Sequence, residues 1–129
     1  MFKILVSDPL AQEGVDMLKR IKEFEVDVKH KLPPEELKKI IKEYDALLVR
    51  SETKVTKEII ESADKLKLIG RAGVCLDNVD LSSASKRGII VMNTPGGNTM
   101  STAEHTMSLL LSLSRNIPQA DASVKKGEW

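Results

Sequence analysis

Two arginines stand where a binding chemistry would be expected. Arg50 and Arg71 each close a short apolar run, "DALLVR" and "LKLIGR". Small or polar residues follow each at once: Ser51 and Glu52 after the first, Ala72, Gly73 and Val74 after the second. The planar guanidinium suits carboxylate and phosphate groups and keeps its charge at any relevant pH. A glycine such as Gly73 lets backbone come close to a ligand and offers its N–H. Together these residue types would hold a small anion. Ser7 and Asp8, and the run Asn93, Thr94, Pro95, Gly96 and Gly97, follow apolar stretches in the same way. The alternative is that the arginines are surface charges paired with Asp8 or Glu52, and spacing alone leaves both readings open.

Secondary structure must bring these stretches together. Residues 3–8, 24–29, 45–50, 66–71 and 88–93 read as strands. Residues 10–21, 33–44, 56–64 and 80–88 carry apolar side chains at helical spacing, as in Leu37, Ile40 and Ile41. Pro33 and Pro34 suit a helix start, Thr56 an N-cap, and Gly88 a helix stop. Strand–helix alternation of this rhythm predicts an α/β fold with a parallel sheet covered on both faces. The expected architecture is doubly wound, five-stranded, in flavodoxin-like order 2-1-3-4-5. Ligands of such sheets bind beyond the carboxyl ends of the strands, where the arginines fall.

Composition removes other classes. The 129 residues and 41% apolar content suit one globular core. Lys and Arg total 20 against 19 acidic residues, so no basic face for nucleic acid is expected. No apolar run approaches the roughly 20 residues of a membrane span. The single Cys75 excludes an internal disulfide and fits a reducing, cytoplasmic compartment. No group of residues has metal-ligand spacing, and His30 and His105 read as a solvated residue and a structural helix position.

Three longer stretches carry more information. "VRSETKVT", "GRAGVCLDNVDLSSASKRGIIVMNTPGGNTMSTAEHT" and "RNIPQADASVKKGEW" closely resemble the D-2-hydroxyacid dehydrogenase family, in its phosphoglycerate-oxidising branch. The resemblance runs over essentially the whole chain. It implies a substrate-binding domain of flavodoxin-like fold, interrupted by a nucleotide-binding domain. It also implies NAD-dependent oxidation of 3-phosphoglycerate to 3-phosphohydroxypyruvate, the opening of serine synthesis. Carried over residue by residue, Arg50, Ser51, Arg71, Ala72, Gly73 and Val74 become substrate contacts, the two arginines near the phosphate. Val74 also lies near the nicotinamide. Asn93 through Gly97 become a hinge. Residues 1–97 correspond to the substrate-binding domain, and 98–129 to the connecting helix and tail of the nucleotide-binding domain.

The same comparison implies that no catalytic residue lies in this chain, because the family's catalytic histidine, its acidic partner and its catalytic arginine fall beyond Trp129. Gly70–Gly73 and Gly96–Gly97 lack the dinucleotide fingerprint spacing and do not open a helix in the required way. The chain alone is therefore expected to be inactive and to bind NAD weakly. Another 2-hydroxyacid dehydrogenase, acting on glyoxylate or hydroxypyruvate, is the neighbouring alternative. A non-enzymatic module of the same fold is a third. A receiver-type phosphate acceptor needs an aspartate after strand three and a lysine after strand five, where Arg50 and Asn93 stand.

Three further features have their own readings. Cys75 replaces the family's usual glycine and is expected to adopt an ordinary conformation and pack. Asp77, Asn78 and Asp80 are expected to cap a helix from Leu81 and shape its turn, more than to touch ligand. "MSTAEHTMSLLLSLSRNIPQA" is apolar around most of a helix plotted at about 100° per residue. Such a helix needs burial, so a homodimer through residues 100–129, or a partly exposed refolded tail, is expected.

Overall fold

Each apolar run forms a strand. In the computed structural model, which describes residues 1–128, β1 (Phe2–Val6), β2 (Phe24–Val28), β3 (Ala46–Val49), β4 (Leu68–Arg71) and β5 (Ile90–Met92) make one sheet. Its order is β2-β1-β3-β4-β5, and every pairing is parallel. This is the predicted order. Strands β1, β3 and β5 stop before Ser7, Arg50 and Asn93, which leaves those residues in loops, whereas Arg71 ends β4 itself.

The connecting helices are α1 (Gln12–Lys19), α2 (Pro34–Ile40), α3 (Lys57–Glu61) and α4 (Leu81–Lys86), with a 3-10 turn at Ile41–Glu43 after α2. Pro34 sits in the first turn of α2, where its missing N–H leaves no bond unmade. Asp80 caps α4 by accepting the Ser83 N–H at 2.9 Å. Gly88 takes the left-handed φ of 68° that ends α4 and returns the chain to β5. Thr56 precedes α3 without a side-chain cap. Its hydroxyl instead meets Glu58 and holds that carboxyl below the usual range.

The larger part of the core lies on one face of the sheet. Leu5, Leu47, Val49 and Ile69 are fully buried there, against Leu37, Ile41, Ile59, Ile60 and Ala84 from α2, the 3-10 turn, α3 and α4. The opposite face was expected to be covered as well, and it is covered only in part. Right-handed crossovers explain this. The step from β1 to β2 runs one way along the sheet and puts α1 on one face. The steps into β3, β4 and β5 run the other way and put α2, α3 and α4 on the other. Leu48 and Leu68 are consequently half-buried, and Ile90 and Met92 exposed, on the α1 side.

A second unit begins at Asn98. It holds α5 (Thr99–Ser114) and α6 (Ile117–Lys125). One helix was predicted across this region to Ala120, and the structure corrects it. Arg115 ends α5, and Asn116 turns left-handed at φ 50°. Pro118 is the reason: it cannot donate to a preceding carbonyl, and its ring would collide with the turn before it. Met107, Leu109, Leu110, Leu111 and Leu113 on α5 are all exposed. Among the described residues, no helix is long and apolar enough to cross a membrane.

Candidate functional site

The rim at the carboxyl ends of β1, β3 and β4 is organised by two buried polar side chains. The first is Asp8, 1% exposed. Its carboxylate accepts the Arg50 N–H at 2.6 Å, the Thr53 N–H at 3.1 Å and the Thr53 hydroxyl. Ser7, equally buried, shares a 3.0 Å hydrogen bond with the Thr53 hydroxyl. A buried carboxylate needs such donors, because an unpaired charge there is costly. The loop from Arg50 to Thr53 therefore folds over the end of β1.

The second is Asn78, 5% exposed. Its Nδ2 donates to the Arg50 and Thr53 carbonyls, each at 2.7 Å. Its Oδ1 accepts Arg71 Nε–H at 3.0 Å. A parallel bridge between Val55 and Val79 runs alongside, with the Val55 N–H donating to the Asn78 carbonyl at 2.8 Å. The loops after β3 and β4 are thus tied into one piece.

The two arginines differ in setting. The Arg71 side chain is 11% exposed and holds Asp77, which is mostly exposed, at 3.5 Å. Arg50 is exposed, with its Nη1 donating at 3.4 Å to the Pro9 carbonyl. The suggested pairing with Asp8 or Glu52 is corrected in part: Asp8 accepts the backbone of Arg50 and leaves the guanidinium to solvent.

Gly73 has a steric reason and no conformational one. A Cβ added there would fall on Arg71 Nη1, so the guanidinium lies across the space that glycine leaves. Its N–H, expected to face a ligand, donates at 2.9 Å to the Arg71 carbonyl. Among the described residues the Val74 N–H makes no hydrogen bond, so the open amide is one residue further on. The loop is held from the other side: Thr94 N–H reaches the Gly73 carbonyl at 3.0 Å, and Asn93 Nδ2 the Val74 carbonyl at 2.6 Å. Ser51, Ala72 and Val74 are exposed, as are Thr94 through Gly97. A hollow of about 280 Å³, floored by Leu48, Leu68 and Met92, opens beside Arg71, Ala72 and Thr94.

Residues 4–125 match the family described as D-isomer specific 2-hydroxyacid dehydrogenase, catalytic domain. The chain belongs to this family. It is 53% identical, over its whole length and 24% of the relative's, to D-3-phosphoglycerate dehydrogenase of Methanocaldococcus jannaschii. It is 47% identical to hydroxypyruvate reductase of Thermotoga maritima, over 99% of this chain and 42% of that one. A crystal structure of NAD+-bound 3-phosphoglycerate dehydrogenase from Entamoeba histolytica superposes with a TM-score of 0.74 at 34% identity, covering 86% of this chain and 38% of that one. The chain spans about a quarter of the length of the curated phosphoglycerate dehydrogenases it matches.

Within this 2-hydroxyacid dehydrogenase chain, Cys75 has no left-handed φ, yet it is exposed, and the expected packing is corrected. A loop already held by Asn93 and Thr94 leaves that side chain facing water. Gly96, at φ 78°, and Gly97 lie in the turn that precedes α5. The pair still lacks the glycine spacing that cradles a pyrophosphate, and α5 opens on Thr99 and Met100. The described residues therefore do not fit NAD by themselves. His30 is exposed, and so is His105 on α5. Sequence reasoning missed Thr53 as the partner of Asp8 and Asn78 as the partner of both arginines.

Proposed function

We propose that this chain is the substrate-binding part of an NAD-dependent D-3-phosphoglycerate dehydrogenase, which oxidises 3-phosphoglycerate to 3-phosphohydroxypyruvate in serine biosynthesis. The observation that carries the reading is the junction at Asn78, which joins the backbone of Arg50 to the guanidinium of Arg71. One held guanidinium, at Arg71, and a second arginine anchored by its backbone, at Arg50, suit a substrate with two anionic groups; a lone carboxylate would not need both.

In this reading the phosphate lies toward Arg50 and Arg71, and the carboxylate meets the Val74 amide. Ser51 and Ala72 border the same rim. The substrate domain comprises residues 1–97, and 98–129 begin the nucleotide-binding domain. Asn93 through Gly97 form the hinge between the domains, since closure expels water and aligns the reacting atoms. In the whole enzyme Val74 would border the nicotinamide, and NAD would supply the hydride acceptor. The exposed, apolar α5 supports a homodimer through residues 100–129. The chain alone transfers no hydride.

Hydroxypyruvate reduction is the second reading, favoured by the Thermotoga relative. Calorimetry separates the two. The first expects 3-phosphoglycerate to bind this chain at least about tenfold more tightly than glycerate, the worth of one charge-assisted hydrogen bond. Equal binding would favour the second. Formation of NADH from NAD and 3-phosphoglycerate by the purified chain would overturn the assignment of chemistry to residues outside it.

A further inference from the structure

The rim contains a buried side chain, Asn78, that touches no ligand in the substrate reading but joins the two arginines. Asn78 carries one acceptor and one two-hydrogen donor within reach of three partners, and all three are engaged. An apolar residue would strand the Arg50 and Thr53 carbonyls and Arg71 Nε–H together. A carboxylate would supply no donors. A neutral amide at this length meets the whole requirement.

The consequence falls on Arg71. Nε is fixed by Asn78, and Nη2 turns toward Asp77. Nη1 makes no hydrogen bond among the described residues and lies across Gly73, one residue before the open Val74 amide. The Arg50 side chain likewise starts from a backbone whose N–H is held by Asp8 and whose carbonyl is held by Asn78. Free guanidinium groups sample many rotamers, and the entropy of ordering them is charged against binding. Here most of that ordering is already done at Arg71.

We infer that Asn78 is a positioning residue of the anion site, which sets the plane of the Arg71 guanidinium so that Nη1 faces the ligand side of the Gly73 turn. This rests on the substrate-binding reading of the rim. A purely structural role would hold the two loops together without controlling the guanidinium.

The test uses the isotope-labelled chain and observes Arg71 Nε–H directly by NMR. In the unmodified chain this proton exchanges slowly with water, while that of Arg50 exchanges fast. In Asn78→Ala the Arg71 proton loses its protection, and affinity for 3-phosphoglycerate and for inorganic phosphate falls about tenfold. The amides of Tyr44 and Asp45, at the opposite, amino end of β3, stay where they are. Asn78→Asp keeps the oxygen that faces Arg71, so there the protection returns. Unchanged protection or unchanged phosphate affinity in a folded Asn78→Ala chain overturns the inference. Should that variant not fold, an unprotected Arg71 Nε–H in the unmodified chain or in Asn78→Asp overturns it instead. Failure of the unmodified chain to bind 3-phosphoglycerate removes only the substrate reading; the Nε–H exchange and the phosphate titration still decide the role of Asn78.

Discussion

Asp8 and Arg50, 42 residues apart in the chain, are joined by a 2.6 Å hydrogen bond from the Arg50 N–H to the Asp8 carboxylate. The bond lashes the loop after β3 to the end of β1, and it places an arginine at the rim without spending its charge. Replacing Asp8 by alanine leaves the part-buried Arg50 and Thr53 N–H groups without their acceptor. That should cost about 3 kcal/mol of stability, at roughly 1–3 kcal/mol per stranded group. Urea denaturation followed by circular dichroism measures it, and a change below about 1 kcal/mol would show that the knot is dispensable.

Gly73→Ala tests the packing of the Arg71 side chain. The backbone at residue 73 accepts alanine, since its φ is not left-handed. The new methyl would collide with Arg71 Nη1 and displace the guanidinium. We expect anion affinity to fall about tenfold, with stability changing by about 1 kcal/mol or less. Gly88→Ala is the control: its φ of 68° makes alanine destabilising, by about 1–2 kcal/mol, without touching the rim.

The sheet order and most helix ends were legible because they rest on local patterns. Short apolar runs, paired prolines before "EELKKII" and a glycine after Lys86–Arg87 act within a few residues of themselves. The arginines at the rim were legible for the same reason, once strand ends were located. The bond between Asp8 and Thr53 was not, because it joins residues 45 apart that no periodicity relates. Asn78 was read as a turn residue from its acidic, amide-rich neighbourhood, and nothing local revealed that its side chain reaches back to Arg50. The break at Asn116 was legible in Pro118, but the apolar pattern running through it obscured the signal.

Asp45 provides a pH dependence away from the site. The Lys3 N–H donates to its carboxylate at 3.0 Å, and Lys67 Nζ lies 3.0 Å from the other oxygen. The Lys3 amide first, then Lys67, hold its pKa below the ordinary carboxylate value. A depressed folded pKa contributes stability above the unfolded value of about 3.9, which is lost as pH falls through the folded value. An NMR titration of the Asp45 carboxyl should therefore give a midpoint below that of an exposed aspartate. Lys67→Ala should raise this midpoint only in part, since the amide bond remains.

The exposed leucines of α5 carry the dimer proposal. Sedimentation of the unmodified chain should report a dimer, and Leu110→Lys together with Leu111→Lys should shift it to monomer, because each buried leucine contributes about 1.5–3 kcal/mol. A monomer before substitution would remove the proposal.

We propose that Arg50, Arg71 and the Val74 amide act on one small, doubly anionic ligand. Titrating 3-phosphoglycerate into the isotope-labelled chain tests this most directly. Saturable shifts are expected at the Arg50 and Arg71 side-chain N–H groups and at the Val74 amide, with one shared dissociation constant. Separate constants for the two arginines, or saturable shifts confined to other parts of the chain, would contradict it.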